Sequence, residues 1–206
     1  MTEDSFSIRA DSLAKRFYRT GIFRGISFRL ERGEALALTG PNGSGKSTLL
    51  EIIAGLQRQS AGSLEMAWGG RVLGRSEIFG FLGFMSPRMN LYGELNALEI
   101  IHFTSACRRG PEQRALDLLD ELDLTRHGDK PVARYSSGMR QRLKFLLAVF
   151  ADPPLLLLDE PGSNLDRRGK DLVYGMIRRL MRDRIVIIAA NEEEEMNLCG
   201  RRLALA

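Results

Sequence analysis

The chain has 206 residues, 44% hydrophobic and 27% charged, with a net charge of +4 at pH 7. That is enough chain for one core, or one core carrying an inserted subdomain, and the composition is that of an ordinary globular protein. The small basic excess gives no reason to expect a nucleic-acid partner, Cys107 and Cys199 have no metal or redox spacing, and no apolar run approaches the ~20 residues of a membrane span.

The N-terminal Met1–Ser5 carries two acids and no apolar stretch, so no secretory signal is expected there. Ile26, Phe28 and Leu30 alternate with Ser27 and Arg29, the period of a half-buried strand. Ala35–Thr39 is continuously apolar, as a strand buried on both faces requires. A glycine-rich stretch, Gly40–Gly45, follows, and then a helical pattern from Lys46 to Ala54 that Gly55 stops. Strand-like segments come next at Ser63–Trp68 and Ile78–Met85. The middle turns helical over Leu95–Ala106, Pro111–Leu122 and Ser137–Phe150. The α/β alternation then returns with strand Leu155–Asp159, helix Arg167–Met181 and strand Ile185–Ala190. The expectation is a single α/β domain over 1–206, with a mostly parallel sheet, an N-terminal antiparallel region and an inserted α-helical subdomain. Residues 1–86 and 151–206 form its core and 87–150 the insert.

Chemistry concentrates at Gly40-Pro41-Asn42-Gly43-Ser44-Gly45-Lys46-Ser47-Thr48, which fits GxxxxGK[ST] between a strand and a helix. Glycines let backbone N–H groups converge on phosphate oxygens with no Cβ in the way, and the helix N-terminus adds its positive dipole end. Lys46 suits the β- and γ-phosphates of ATP, and the Ser47 hydroxyl suits Mg²⁺. A second element, Leu155–Leu158 followed by Asp159-Glu160, ends an apolar strand in two acids. Asp159 would then stand beside the Mg²⁺ and Glu160 at the edge, able to polarise an attacking water. Many buried strands end in acids, so this element gains its meaning from the first.

The third element is Tyr135-Ser136-Ser137-Gly138-Met139-Arg140-Gln141, immediately before a helix. It is similar to the LSGGQ signature of ATP-binding cassette (ABC) ATPases, and Gly162-Ser163-Asn164-Leu165-Asp166 resembles their D-loop. The order of all four elements, from about Ser7 to Leu203, resembles the nucleotide-binding subunit of an ABC transporter of the short single-cassette type. Serines at 136 and 137 also suit a helix N-cap, which is the structural alternative.

That resemblance implies a head-to-tail dimer with two ATPs at its interface, most simply a homodimer. In it Ser136 and Gly138 reach the γ-phosphate bound on the other copy, and Asp166 links the two sites. An aromatic residue stacks on adenine, and Phe17 best fits that place, with Tyr18 the alternative. The sequence departs from the family at two positions. Pro87 falls where a glutamine touches Mg²⁺ and the attacking water, with Ser86 a weak substitute, and Asn191 falls where a histidine contacts the γ-phosphate. An amide still donates a hydrogen bond but does not titrate as imidazole does. The site reads as a competent ATPase with slow turnover, Glu160 being retained. The run Glu192–Glu195 reads as a solvated face opening a short helix. The expected function is a transport motor that hydrolyses ATP on the cytoplasmic face of a membrane and drives a separate integral-membrane permease. The alternative is a soluble ATPase of the same family acting on ribosomes or DNA.

Overall fold

The computed structural model describes residues 5–108 and 110–206. Two sheets carry the fold. Strands β1 (Phe6–Phe17), β2 (Thr20–Glu31), β4 (Ala61–Trp68) and β5 (Arg71–Val72) form an antiparallel sheet in the order β2-β1-β4-β5. Strands β3 (Ala35–Thr39), β6 (Leu82–Met85), β7 (Leu155–Asp159), β8 (Ile185–Ala189) and β9 (Arg201–Ala204) form a parallel sheet in the order β6-β7-β8-β3-β9.

The continuous apolar runs of β3, β7 and β8 have a direct cause. Side chains alternate across a sheet, and both faces of this one are covered. Leu36, Leu38, Leu155, Leu157, Ile185 and Ile187 join the antiparallel sheet and helix α1 (Lys46–Ile53) in one core cluster. Their neighbours Ala37, Leu156, Leu158, Val186 and Ile188 join the helices in the other. That second face is covered by α2 (Ala97–Arg108), α3 (Glu112–Glu121), α4 (Ser137–Val149) and α5 (Arg167–Leu180), while a short α6 (Glu193–Met196) follows β8.

Helix α4 lies very close to β6. A Cβ at Gly83 would stand 2.0 Å from the Ala148 carbonyl oxygen, so only glycine permits the approach. The helices between β6 and β7 therefore share their core with the sheet, through Leu143, Leu146 and Leu147 of α4.

Most expected elements fall where the pattern puts them, within a residue or two at their ends. Residues 78–85 differ. They fold as a single helical turn at Ile78–Gly80 and then the short strand β6. The Arg108 guanidinium donates to the carbonyls of Phe79 and Leu82, and the Phe81 N–H turns back to Ile78, so the start of the segment leaves the ladder. The edge strand β9 was not evident from the pattern. Its basic pair is engaged, Arg201 with Glu34 at 2.8 Å and Arg202 with Glu193 at 3.0 Å. Among the described residues no helix is long and apolar enough to cross a membrane.

Candidate active site

The C-terminal ends of β3 and β7 converge on one cavity of about 360 Å³. Gly43, Gly45, Lys46, Ser47 and Thr48 line one side, and Glu160, Asn191 and Arg88 the other. The loop from Gly40 to Gly45 owes its shape to its glycines. Gly40, Gly43 and Gly45 have φ of 136°, 86° and 97°, in the left-handed region that side chains disfavour. Gly45 is also packed tightly, since a Cβ there would lie 2.5 Å from Ile22 Cγ2, on β2. Helix α1 starts at Gly45 with no side-chain cap, so its first N–H groups remain free to meet an anion. Lys46 is buried and curls over the loop, its Nζ donating to the carbonyls of Gly40 at 2.8 Å and Pro41 at 3.2 Å.

Asp159 ties three segments together and is only 3% exposed. Its Oδ1 accepts from the Ser47 hydroxyl at 3.1 Å and its Oδ2 from the Ser86 hydroxyl at 3.5 Å. Burial raises its pKa, the nearby charges of Glu160 and Glu51 push the same way, and the two serine hydroxyls pull against them. A buried carboxylate flanked by hydroxyl oxygens and two further acids is a good fit for a hard divalent cation. Among the described residues no group of three or more His, Cys, Asp or Glu could hold a metal by itself. Mg²⁺ characteristically takes one or two carboxylates and completes its shell with water and substrate phosphates, so this donor set suits it.

Glu160 sits in a constrained backbone at φ 50°, which for a non-glycine residue costs on the order of 1–3 kcal/mol. Both of its backbone polar groups are held. Its N–H donates to the Ala189 carbonyl at 3.0 Å, and its C=O accepts from Gln141 Nε2 at 2.8 Å. Its carboxylate accepts from Asn191 Nδ2. The amide at the expected histidine position, read from the sequence as a γ-phosphate contact, thus donates to Glu160 in this structure. Pro87 contributes only backbone: its carbonyl accepts from Lys144 Nζ at 2.9 Å, while the Ser86 hydroxyl takes the side-chain contact to Asp159.

Phe17, Ser136, Gly138 and Asp166 stand outside the cavity lining. Ser136 caps α4, its hydroxyl accepting from the Met139 N–H at 3.1 Å. Asp166 caps α5 through the Gly169 N–H at 2.8 Å. Gly138 lies against the turn before α5, where a Cβ would come 3.0 Å from the Asn164 carbonyl oxygen. Phe17 ends β1, 42% exposed, with Lys15 Nζ 4.5 Å above its ring. The neighbouring Tyr18 is fully exposed at φ 53°.

The acidic run after β8 is corrected in one member. Glu192, Glu193 and Glu194 are exposed and paired with Lys170, Arg202 and Arg167. Glu195 is only 1% exposed and accepts from the Gly162 N–H at 2.8 Å and the Asn191 N–H at 3.2 Å. Sequence reading gave Gln141 no role of its own, although it closes the signature stretch; it is buried on α4 and holds the Glu160 carbonyl.

The family model for ABC transporters matches residues 23–163, more than half of the chain. The chain belongs to the ABC transporter family. Within that family it is an ATP-binding and ATP-hydrolysing subunit. It is 35% identical to the lipoprotein-releasing system ATP-binding protein LolD 1 of Caulobacter vibrioides, over 97% of this chain and 92% of that protein. It is 29% identical to the linearmycin resistance ATP-binding protein LnrL of Bacillus subtilis, over 94% of this chain but only 64% of the relative. A bacterial ABC transporter cassette solved as a dimer superposes with a TM-score of 0.83 at 24% identity, over 96% of this chain and 94% of that one. That likeness establishes the ABC cassette fold, with its parallel core, antiparallel sheet and helices.

Proposed function

We propose that the cavity binds Mg·ATP and that the chain turns it over as one half of a head-to-tail dimer driving a membrane permease. The observation that carries this reading is the meeting of Lys46, Ser47, Glu160 and Asn191 around one 360 Å³ space, with Asp159 hydrogen-bonded to Ser47 beneath it. Backbone N–H groups of Gly43 and Gly45 and the start of α1 cradle the phosphates, with Pro41, Asn42, Ser44 and Thr48 shaping the loop, the Ser44 N–H donating to the Pro41 carbonyl at 3.1 Å. Lys46 leaves the Gly40 and Pro41 carbonyls for the β- and γ-phosphates. Ser47 and Asp159 hold Mg²⁺, which when bound neutralises charge building on the phosphates. Glu160 accepts a proton from the attacking water, and Asn191 fixes the orientation of its carboxylate.

Phe17 offers its exposed ring to adenine. Ser136 and Gly138, outside this chain's own cavity, serve a nucleotide on a second copy, with Asp166 at the junction. The helical insert, residues 87–150, acts as a subdomain that carries them. An apolar groove of about 370 Å³, lined by Leu56, Phe79, Phe84, Met89 and Leu147, opens between β6 and the helices. Its lining is apolar, and a short apolar-faced segment of the permease fits there. Such an arrangement puts the chain peripherally at the cytoplasmic face of the membrane.

Glu160→Gln tests the reading. The amide keeps the shape but removes the proton acceptor, so ATP binding should persist, turnover should fall at least about a hundredfold, and Mg·ATP should shift size-exclusion mass to about double. Undiminished turnover, or a strictly monomeric ATP-bound variant, would overturn the catalytic or the dimer half respectively.

A further inference from the structure

The buried Glu195 carboxylate joins two turns that each carry a residue of the site. Its Oε1 accepts from the N–H of Gly162, two residues after Glu160, and its Oε2 from the N–H of Asn191. The side chain of Asn191 closes the circuit by donating to the Glu160 carboxylate. Position 162 is built around this contact. A Cβ there would lie 1.9 Å from the Tyr174 hydroxyl and 3.2 Å from Glu195 Oε1. The three preceding glutamates share neither burial nor these partners.

Helix capping explains part of this. Glu195 is the third residue of a helix whose N-cap is Glu192, and an acid there reaches back to the first N–H groups of its own helix. Capping does not explain the bond to Gly162, which lies on a different turn 33 residues away. A charge taken so far out of water needs several donors to hold it. Burial raises its pKa, and the N–H groups of Gly162, Asn191 and Glu192 counter that by favouring the charged form.

We propose that Glu195 is a positioning residue that locks the Gly162 and Asn191 turns into one unit and so aims Asn191 at Glu160. The proposal rests on the reading of Glu160 as proton acceptor. A displacement of the turn from Gly162 to Asp166, the segment placed toward a second copy, is passed through Glu195 to the Asn191 turn. Glu160 is then correctly oriented only when both turns are in register.

The test uses the full chain and Glu195→Gln, which keeps one acceptor oxygen but presents an N–H to the other donor. With Mg·ATP, kcat should fall about ten- to a hundredfold, the scale of one charge-assisted hydrogen bond, while the Kd for ATP stays within about twofold. In an Asn191→Ala background the same change should cost no more than about twofold, because both act through one contact. An unchanged kcat, or an equal loss in both backgrounds, overturns the proposal and leaves a capping role. Should Glu195→Gln fail to fold, Glu195→Asp keeps the charge but is one methylene too short to span both N–H groups. It should show the same split between kcat and Kd, and its failure to fold as well would also overturn the proposal. Glu160→Gln run alongside separates the two levels. If it keeps full turnover the catalytic reading itself falls, whereas loss there with normal kcat in the Glu195 variants sinks only the positioning role.

Discussion

The loop after β3 and the turn after β8 face each other across the same cavity, yet they are specified in opposite ways. The loop from Gly40 to Thr48 is fixed locally. Three glycines at positive φ and an uncapped helix start are enough to expose a set of N–H groups to one point. The turn from Asn191 to Glu195 has no special backbone. It is held by groups far along the chain, Gly162 and Glu160, through side chains whose partners exist only once the sheet has formed. Local specification leaves a spacing that can be read in one dimension. Tertiary specification leaves residue types that look interchangeable until their neighbours are known.

The largest expected effect tests the locally specified side. Lys46 is the one cation inside the loop, and its Nζ is held by two carbonyls that a phosphate would replace. Lys46→Ala should remove ATP turnover by roughly a thousandfold or more and weaken ATP binding, measured by equilibrium titration, while melting within a few degrees of the parent. A variant that still turns over ATP at the parent rate would mean the loop has been assigned the wrong ligand.

The same contrast accounts for what the sequence revealed. Strands β3, β7 and β8 were legible because burial on both faces makes them unbroken apolar runs. Asp159 and Glu160 were legible because they end such a run. Strand β1 was not singled out, since its register shifts three times against β2 and its outward face mixes charged and small residues. Residues 78–81 were read as strand because nothing local predicts that Arg108 takes the carbonyls of Phe79 and, just beyond, Leu82. Glu195 was grouped with three solvated glutamates of the same type, and only the distant Gly162 N–H distinguishes it. Its place at the third position of a short helix was the one sequence signal available.

A middle-sized effect is expected on the tertiary side. Asn191 Nδ2 donates to the Glu160 carboxylate, a bond to a charged group, which is worth about 1.5–3 kcal/mol. Asn191→Ala should therefore lower kcat by about ten- to a hundredfold with little change in ATP affinity, as steady-state turnover and titration would reveal. Loss of affinity in place of kcat would place Asn191 on the nucleotide and not on Glu160, and the contrast between the two sides would narrow.

The smallest effect lies where the two modes of specification meet, at Asp159. Its carboxylate is fixed by Ser47 from the glycine loop and by Ser86 from the end of β6. Burial raises its pKa above the ordinary 3.8, so the fold favours the protonated form. The sign follows from linkage. Stability from this group is fully present below pH 3.8, is lost as pH rises through the raised folded value, and is a net cost at neutral pH. In metal-free, nucleotide-free buffer at pH 7, Asp159→Asn should raise the melting temperature, each ~1 kcal/mol of relief being worth about 2–4 °C at this chain length. As pH falls toward the ordinary aspartate value the advantage should shrink, because the folded parent carboxyl, with its raised pKa, is then becoming neutral too. With Mg·ATP present the order should reverse, since the carboxylate gains the divalent charge its surroundings lack and the asparagine variant does not. Thermal melts of both proteins at pH 7 and near pH 4, with and without Mg·ATP, provide all four comparisons. A variant that melts lower than the parent in metal-free buffer would show that Ser47 and Ser86 outweigh burial. Asp159 would then be a structural tie between the loop and β6 before it is a metal ligand.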